Sequence, residues 1–311
     1  MLKHPLLTVF IVLPVLFGVV SSGCENPGTV EIQNNKKEKI NAISSAGPED
    51  SLDSFQIIMA VTDIAIGENR LAFAIIGKNG PLIADQVQVQ LSPLDNSSGA
   101  YKYKSKALFQ VWPQGNAGVY ITRVNLGISG EWIIQVEDAS SNRGVLGTTK
   151  FFVNKTSSAP AVGTKPNPLN NLSIADVDDI NEITSALNPD PDLYKLSVSQ
   201  AMSNGIPTII TFASPSFCRT ATCGPQIEVI SSIKNLFGQR LNVIHIEVYE
   251  PPEIDDDGNY ELKVSSLLEA WGLNSEPFTF MLDKTGTIVA KFEGFVTEAE
   301  LTETIKEVLN L

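Results

Sequence analysis

Between Ser54 and Val153 apolar and polar residues alternate in short runs: Phe55 to Val61, Arg70 to Ile76, Val87-Val89-Leu91, Val119 to Leu126, Trp132-Ile134-Val136 and Phe151 to Val153. Period-two alternation places every second side chain on one face of an extended chain, so each run predicts a half-buried strand. Asn79-Gly80-Pro81 and Ser98-Gly99 are the clearest turns between them. About seven strands in roughly 100 residues predict an antiparallel β-sandwich over residues 51–155. The pattern then stops. Thr156 to Asn171 carries Ser157-Ser158, Pro160, Gly163, Pro166 and Pro168, which predicts a semi-extended linker, taken as 156–180.

A different periodicity follows over 181–311. Asp190-Pro191-Asp192 opens this region, and Ser197-Val198-Ser199-Gln200 has the form of a capping box for a short helix that stops at Gly205. Pro207 to Phe212 reads as a buried strand. Ile227, Ile230, Ile233 and Phe237 recur at helical spacing within Pro225 to Phe237, and Leu241 to Val248 is a β-branched strand. Val264 to Trp271 predicts a helix. Phe278 to Leu282 and Thr287 to Phe292 flank Asp283-Lys284-Thr285-Gly286 as a hairpin, and Thr297 to Glu300 caps a last helix ending near Leu309. The expected fold class is thus multidomain, an all-β sandwich of immunoglobulin-like type followed by an α/β unit.

The N-terminus changes the expected compartment. Met1 to His4 carries one Lys, Pro5 to Val20 is apolar and uncharged, and Ser21-Ser22-Gly23-Cys24 follows, the order of a secretory signal. Pro14 interrupts the run, which is shorter than the roughly 20 residues of a spanning helix. Ser22-Gly23-Cys24 resembles the lipobox of bacterial lipoproteins, although Ser21 stands where Leu or Val is usual. The resemblance implies a signal peptide over 1–23, lipidation at Cys24, and a folded part anchored outside the cytoplasm by lipid. An ordinary signal cut nearby, or an uncleaved anchor, is the alternative. Residues 24–50 are polar and read as a flexible tether.

Charge and composition narrow the function. Lys+Arg 22 against Asp+Glu 35 gives −13, which sets aside binding to nucleic acid. From Gly205 to Leu311 there are 7 basic and 16 acidic residues, a balance of 7 − 16 = −9, so partners with basic surfaces are favoured. The β-rich region is near balance, 9 − 8 = +1 between Ser51 and Lys155. It resembles the sandwich modules of exported bacterial proteins that bind copper but lacks His and Cys altogether, so a spacer or protein-binding role is expected. With two His and three Cys in the chain, a multi-histidine metal enzyme is excluded, and neither metal nor cofactor is expected. Asp255-Asp256-Asp257-Gly258-Asn259 lacks the spacing of a calcium loop and reads as a solvated turn.

If Cys24 is lipidated, Cys218 and Cys223 remain as a pair. They follow a strand, in Ser216-Phe217-Cys218-Arg219-Thr220-Ala221-Thr222-Cys223-Gly224-Pro225, and precede a helix. A thiolate at a helix N-terminus faces unpaired N–H groups and the positive end of the dipole, which lowers its pKa, and Arg219 adds positive charge. Such a thiolate attacks a disulfide, and a second Cys a few residues on resolves the mixed disulfide. With the element order, these residues make Pro207 to Leu311 resemble the thioredoxin superfamily, closest to exported members with Cys-x4-Cys. Ser275-Glu276-Pro277-Phe278-Thr279 falls where that family has its cis-proline.

The resemblance implies a thioredoxin-like domain in which Cys218 is the exposed nucleophile and Cys223 the resolver. Glu276-Pro277 would offer a backbone edge to a substrate peptide, Phe217 an apolar rim to it, and the partners would be exported proteins bearing thiols or disulfides. Other alignments stay open: Cys223-Gly224-Pro225-Gln226 resembles a Cys-Gly-Pro-Cys site with Gln in the last place, and Thr220 to Cys223 is a near miss to peroxiredoxins. A structural staple and Cu(I) delivery are the competing uses of the sulfurs. A staple across so short a loop would add only about 2 kcal/mol. Copper-delivering relatives add a His, whereas His245 lies inside a predicted strand and reads as a core residue.

Overall fold

The structure is a computed structural model that describes residues 55–95, 102–112, 117–138, 144–218, 222–251 and 261–311. The signal, Cys24, the tether, Ser98-Gly99, Arg219 and Asp255 to Asn259 lie outside the described residues.

The N-terminal part is all β: β1 (Gln56–Met59), β2 (Gly67–Gly77), β3 (Gly80–Pro81), β4 (Gln86–Pro93), β5 (Tyr103–Val111), β6 (Gly118–Leu126), β7 (Gly130–Asp138) and β8 (Val145–Val153). Strict alternation in β4 buries Val87, Val89, Leu91 and Pro93 and leaves the Gln residues between them half-buried. The strands pair antiparallel in the order β1-β2-β6-β5-β4-β7-β8, with β3 attached to β2. Because β5 pairs with both β4 and β6, the hydrogen bonding forms one path through all of them. The core collects Trp132, Phe73, Tyr120, Leu71 and Ile134, all fully buried. The alternation pattern misses β5, because its Lys104 and Lys106 face solvent and among its inward positions only Ala107 is buried.

The C-terminal part contains α1 (Val198–Ser203), β9 (Thr208–Ala213), α2 (Cys223–Phe237), β10 (Asn242–Glu247), α3 (Ser266–Ala270), β11 (Phe278–Leu282), β12 (Ile288–Glu293) and α4 (Glu298–Leu309). Ser197 caps α1 in a full capping box with Gln200. The sheet order is β10-β9-β11-β12, with β9 and β10 parallel and the other pairs antiparallel. A parallel pair needs a crossover, and α2 supplies it. One face of the sheet packs Ile209, Val243, Met281 and Phe292 on α2 and α4. The other packs Ile210, Phe212, Ile244 and Phe280 on α1, α3 and Trp271. This strand order, with helices on both faces, is the one expected from the resemblance to thioredoxin-like proteins.

The segment expected to be a linker is laid along this second core. Ala159 and Leu169 are buried in it, Gly163 N–H donates to Ile288 O at 2.8 Å, and the Trp271 indole donates to Asn167 O at 2.9 Å. Ser51–Leu311 accordingly falls in one compact unit. Its two sheets are joined by buried charge. The Arg70 guanidinium on β2 grips both carboxylate oxygens of Glu300 on α4 at 2.9 Å and donates to Glu293 O and Phe295 O. The Glu293 carboxylate accepts from Thr62, from Asp63 N–H and from Ser275 Oγ. Glu300 therefore cannot close the capping box expected of Thr297 to Glu300: Thr297 accepts from Glu300 N–H, but the Glu300 carboxylate is spent on Arg70 and Arg123.

Candidate functional site

The strand β9 ends at Ala213 and the chain turns tightly: Ser214 O accepts from Phe217 N–H at 3.1 Å and from Cys218 N–H at 2.9 Å. Cys218 is thereby held in the turn ahead of α2, half-buried, while Cys223 is the first residue of the helix and fully buried. The two are joined as a disulfide with Cα atoms 6.0 Å apart. The helix-start argument thus applies directly to Cys223, and Cys218 sits upstream of it, because four intervening residues are more than one turn can absorb.

Glu276-Pro277 is a cis peptide immediately before β11, with Pro277 buried. The Glu276 carboxylate accepts a hydrogen bond from the buried Ser214 hydroxyl, and its Oε2 lies 3.5 Å from Cys223 Sγ. In the disulfide neither sulfur has a proton to give; in the dithiol, Cys223 could donate to that oxygen. The ligand-type atoms of Cys218, Cys223 and Glu276 all lie within 4.8 Å of one another. Two thiolates and a carboxylate suit a soft or borderline ion.

His245 on β10 is not in that group. Its Nε2 meets Ala213 O at 3.0 Å and its Nδ1 meets Tyr194 Oη at 2.7 Å, so both ring nitrogens are used within the core. Burial pushes its pKa down to about 4, leaving the ring neutral near pH 7, as expected of a core histidine. Burial likewise raises the Tyr194 phenol well above its usual value. Two residues on from His245, burial holds the Glu247 carboxyl up at about 7 against the pull of its Ser185 hydrogen bonds, and the nearby Glu276 charge adds to the rise. Glu247 Oε2 accepts from Ser185 N–H at 2.7 Å; Oε1 is buried and, among the described residues, has no hydrogen-bond partner.

Phe217 is half-buried and meets the Tyr249 ring edge-on at 6.1 Å between centroids. The structure thus brings Cys218, Cys223 and Glu276 together at one point, with Phe217 adjoining Cys218 and Pro277 adjoining Glu276. Gln226, in the last place of the Cys-Gly-Pro-Cys comparison, is fully buried and accepts from Val296 N–H at 2.9 Å, a packing contact between α2 and the chain before α4. Sequence reasoning did not find Ser214, Glu247 or Ser185. Ser214 could have been flagged as the polar residue ending a buried strand. Glu247 and Ser185 carry no motif and meet only through tertiary folding.

No protein-family model matches this chain, and no curated protein matches it. Among solved structures, it is similar to the pneumococcal exposed lipoprotein thioredoxin of Streptococcus pneumoniae at 21% identity, over 33% of this chain and 86% of that one, with a TM-score of 0.25. It is also similar to a thiol:disulfide interchange protein of the thioredoxin family from Chlorobium tepidum at 14% identity, over 49% of this chain and 99% of that one, TM-score 0.31. A β-glucosidase from Kluyveromyces marxianus matches at 16% identity over 34% of this chain and 15% of that one, TM-score 0.19. The strand order β10-β9-β11-β12 and the disulfide at the strand-to-helix junction are the arrangement that the resemblance to thioredoxin-like proteins implies.

Proposed function

We propose that this chain is an exported, lipid-anchored thiol–disulfide oxidoreductase that exchanges electrons with protein partners through Cys218 and Cys223. One observation carries the reading: the bonded sulfurs are unequal, with Cys218 half-exposed and Cys223 sealed beneath it next to a carboxylate. A staple gains nothing from that asymmetry, whereas an exchange centre needs one sulfur to meet the visitor and one to wait.

In the reduced protein the Cys218 thiolate attacks a partner disulfide, forming an S–S bond to one partner sulfur and releasing the other as a thiolate. Glu276 then takes the Cys223 proton, and the Cys223 thiolate attacks Cys218 Sγ. The Cys218–Cys223 bond forms, the partner leaves as its second thiolate, and two electrons have passed to it. The reverse sequence oxidises a partner dithiol. The Pro277 edge and Phe217 would receive the partner segment. The Ser22-Gly23-Cys24 signal supports the anchoring, and no helix among the described residues is long and apolar enough to cross a membrane. The all-β region would be an immunoglobulin-like sandwich acting as a spacer: its end strands β1 and β8 lie against one another around the Trp132 core.

With a defined peptide disulfide as substrate, Cys223→Ser should accumulate a mixed disulfide visible by mass spectrometry, while Cys218→Ser should trap nothing. The opposite pattern would exchange the two roles, and trapping by neither would remove the reading. A second use, holding Cu(I), draws support from the cluster of both sulfurs with Glu276. It requires stoichiometric Cu(I) uptake by the reduced protein that is lost on removing either sulfur.

A further inference from the structure

We propose that the cavity beside Phe217 is a subsite for a lysine or arginine side chain of the partner protein, carried close to the partner's reacting cysteine. The proposal rests on the exchange reading above and names its substrate class. The cavity measures about 320 Å³, within the usual range of roughly 300–1,000 Å³ for ligand sites. Its walls include Phe217, Tyr249 and Leu267, and its polar positions include Glu182, Glu247 and Glu250. It adjoins the disulfide through two links. Phe217 precedes Cys218 in the chain, and Ser216 hydrogen-bonds Ser185, whose own N–H holds Glu247.

Three features select the occupant. Among the described residues Glu247 Oε1 is a buried acceptor with no donor, so an N–H or O–H entering the cavity would find an acceptor there. Three carboxylates line the cavity and, among the described residues, no Lys or Arg does; Glu250 is paired with Lys263 at 2.6 Å and Glu182 Oε1 accepts from Asp179 N–H, which leaves Glu247 as the carboxylate for an incoming cation. That balance selects a cationic donor, which would pair with Glu247 in a charge-assisted hydrogen bond. The apolar and aromatic walls suit the long methylene stem of such a side chain, with the rings available to the cation. The raised pKa of Glu247 fits: a carboxyl that resists ionising while alone is relieved by an incoming positive charge.

The test uses short peptides whose cysteine is activated as a thionitrobenzoate mixed disulfide and whose neighbouring residue is Lys, Arg, norleucine or Glu. Reduced protein at pH 7.5 should react with the Lys and Arg peptides about tenfold faster than with the norleucine peptide, the size of one charge-assisted contact, and slowest with the Glu peptide. In Glu247→Gln the Lys-to-norleucine ratio should fall to about one. Equal rates in the unaltered protein overturn the proposal. So does a preference that Glu247→Gln retains, since it would then belong to the general charge of −13. Failure of every peptide to react would instead sink the exchange reading. Serine analogues of the peptides, titrated into the oxidised protein, then decide the subsite alone, with equal affinity for Lys and norleucine overturning it.

Discussion

Glu276 carries two tasks at one atom: its Oε2 accepts the Ser214 hydroxyl and lies against Cys223. If it receives the Cys223 proton, Glu276→Gln should lengthen the life of the mixed disulfide on the order of 10- to 100-fold near pH 7, less as the pH rises and the thiol ionises unaided. Stopped-flow resolution across pH checks this; a pH-independent effect would make Glu276 structural only. Glu247 makes a separate prediction. Its carboxyl titrates at about 7 in the folded chain, against a reference value of 4.5. The native state therefore holds the extra proton between these values, and stability is full below about 4.5 and is lost as pH rises through 7. Glu247→Gln should remove that loss, gaining on the order of 1–3 kcal/mol at pH 8 and little at pH 4, by urea unfolding. His245 acts in the opposite sense, lending stability above pH 6.5 that is lost toward pH 4, so the comparison must be variant against parent at each pH.

At the scale of elements, α4 shows how a local signal is redirected. Thr297 still caps the helix, and Thr297→Ala should cost about 1 kcal/mol by urea unfolding; a change within error would show that the Arg70 pair alone fixes the helix start. Most elements were legible because their signals are local: alternation for β4, β7 and the second half of β6, 3.6-residue spacing for α2, and a complete capping box for α1. The strand β5 was illegible because lysines fill its solvent face and only one residue of the other is buried. The same division runs through the site. Phe217, Cys218, Cys223, Glu276 and Pro277 stand out by their order along the chain, and the structure places them near one another. That Cys223 rather than Cys218 heads α2, and that Glu276 reaches the buried sulfur, depend on the turn at Ser214 and on β11 lying beside β9. Glu247 and Ser185 are 62 positions apart, and no local pattern announces their meeting.

Across the whole molecule, the charged seam at Arg70 makes the two sheets mechanically one. Its side chain is 4% exposed and that of Glu300 9%, so Arg70→Ala would leave this buried carboxylate with only the partly exposed Arg123 as a cationic partner. A loss of about 2–4 kcal/mol is expected, below the full figure for an unpaired buried charge because Arg123 remains, with amide exchange rising at β12 and α4; a loss confined to a few tenths would mean the seam is solvated. The Glu293 carboxylate extends the seam to Ser275, two residues before Pro277, so the all-β region buttresses the chain on which Glu276 sits. All of this serves one claim, that the Cys218–Cys223 bond is made and broken in use. The reduction potential of that pair, measured against a glutathione buffer, tests it most directly. The account predicts a value above about −300 mV with ready exchange under mild reductant; a value far below that, with the bond untouched by glutathione, would make it a staple.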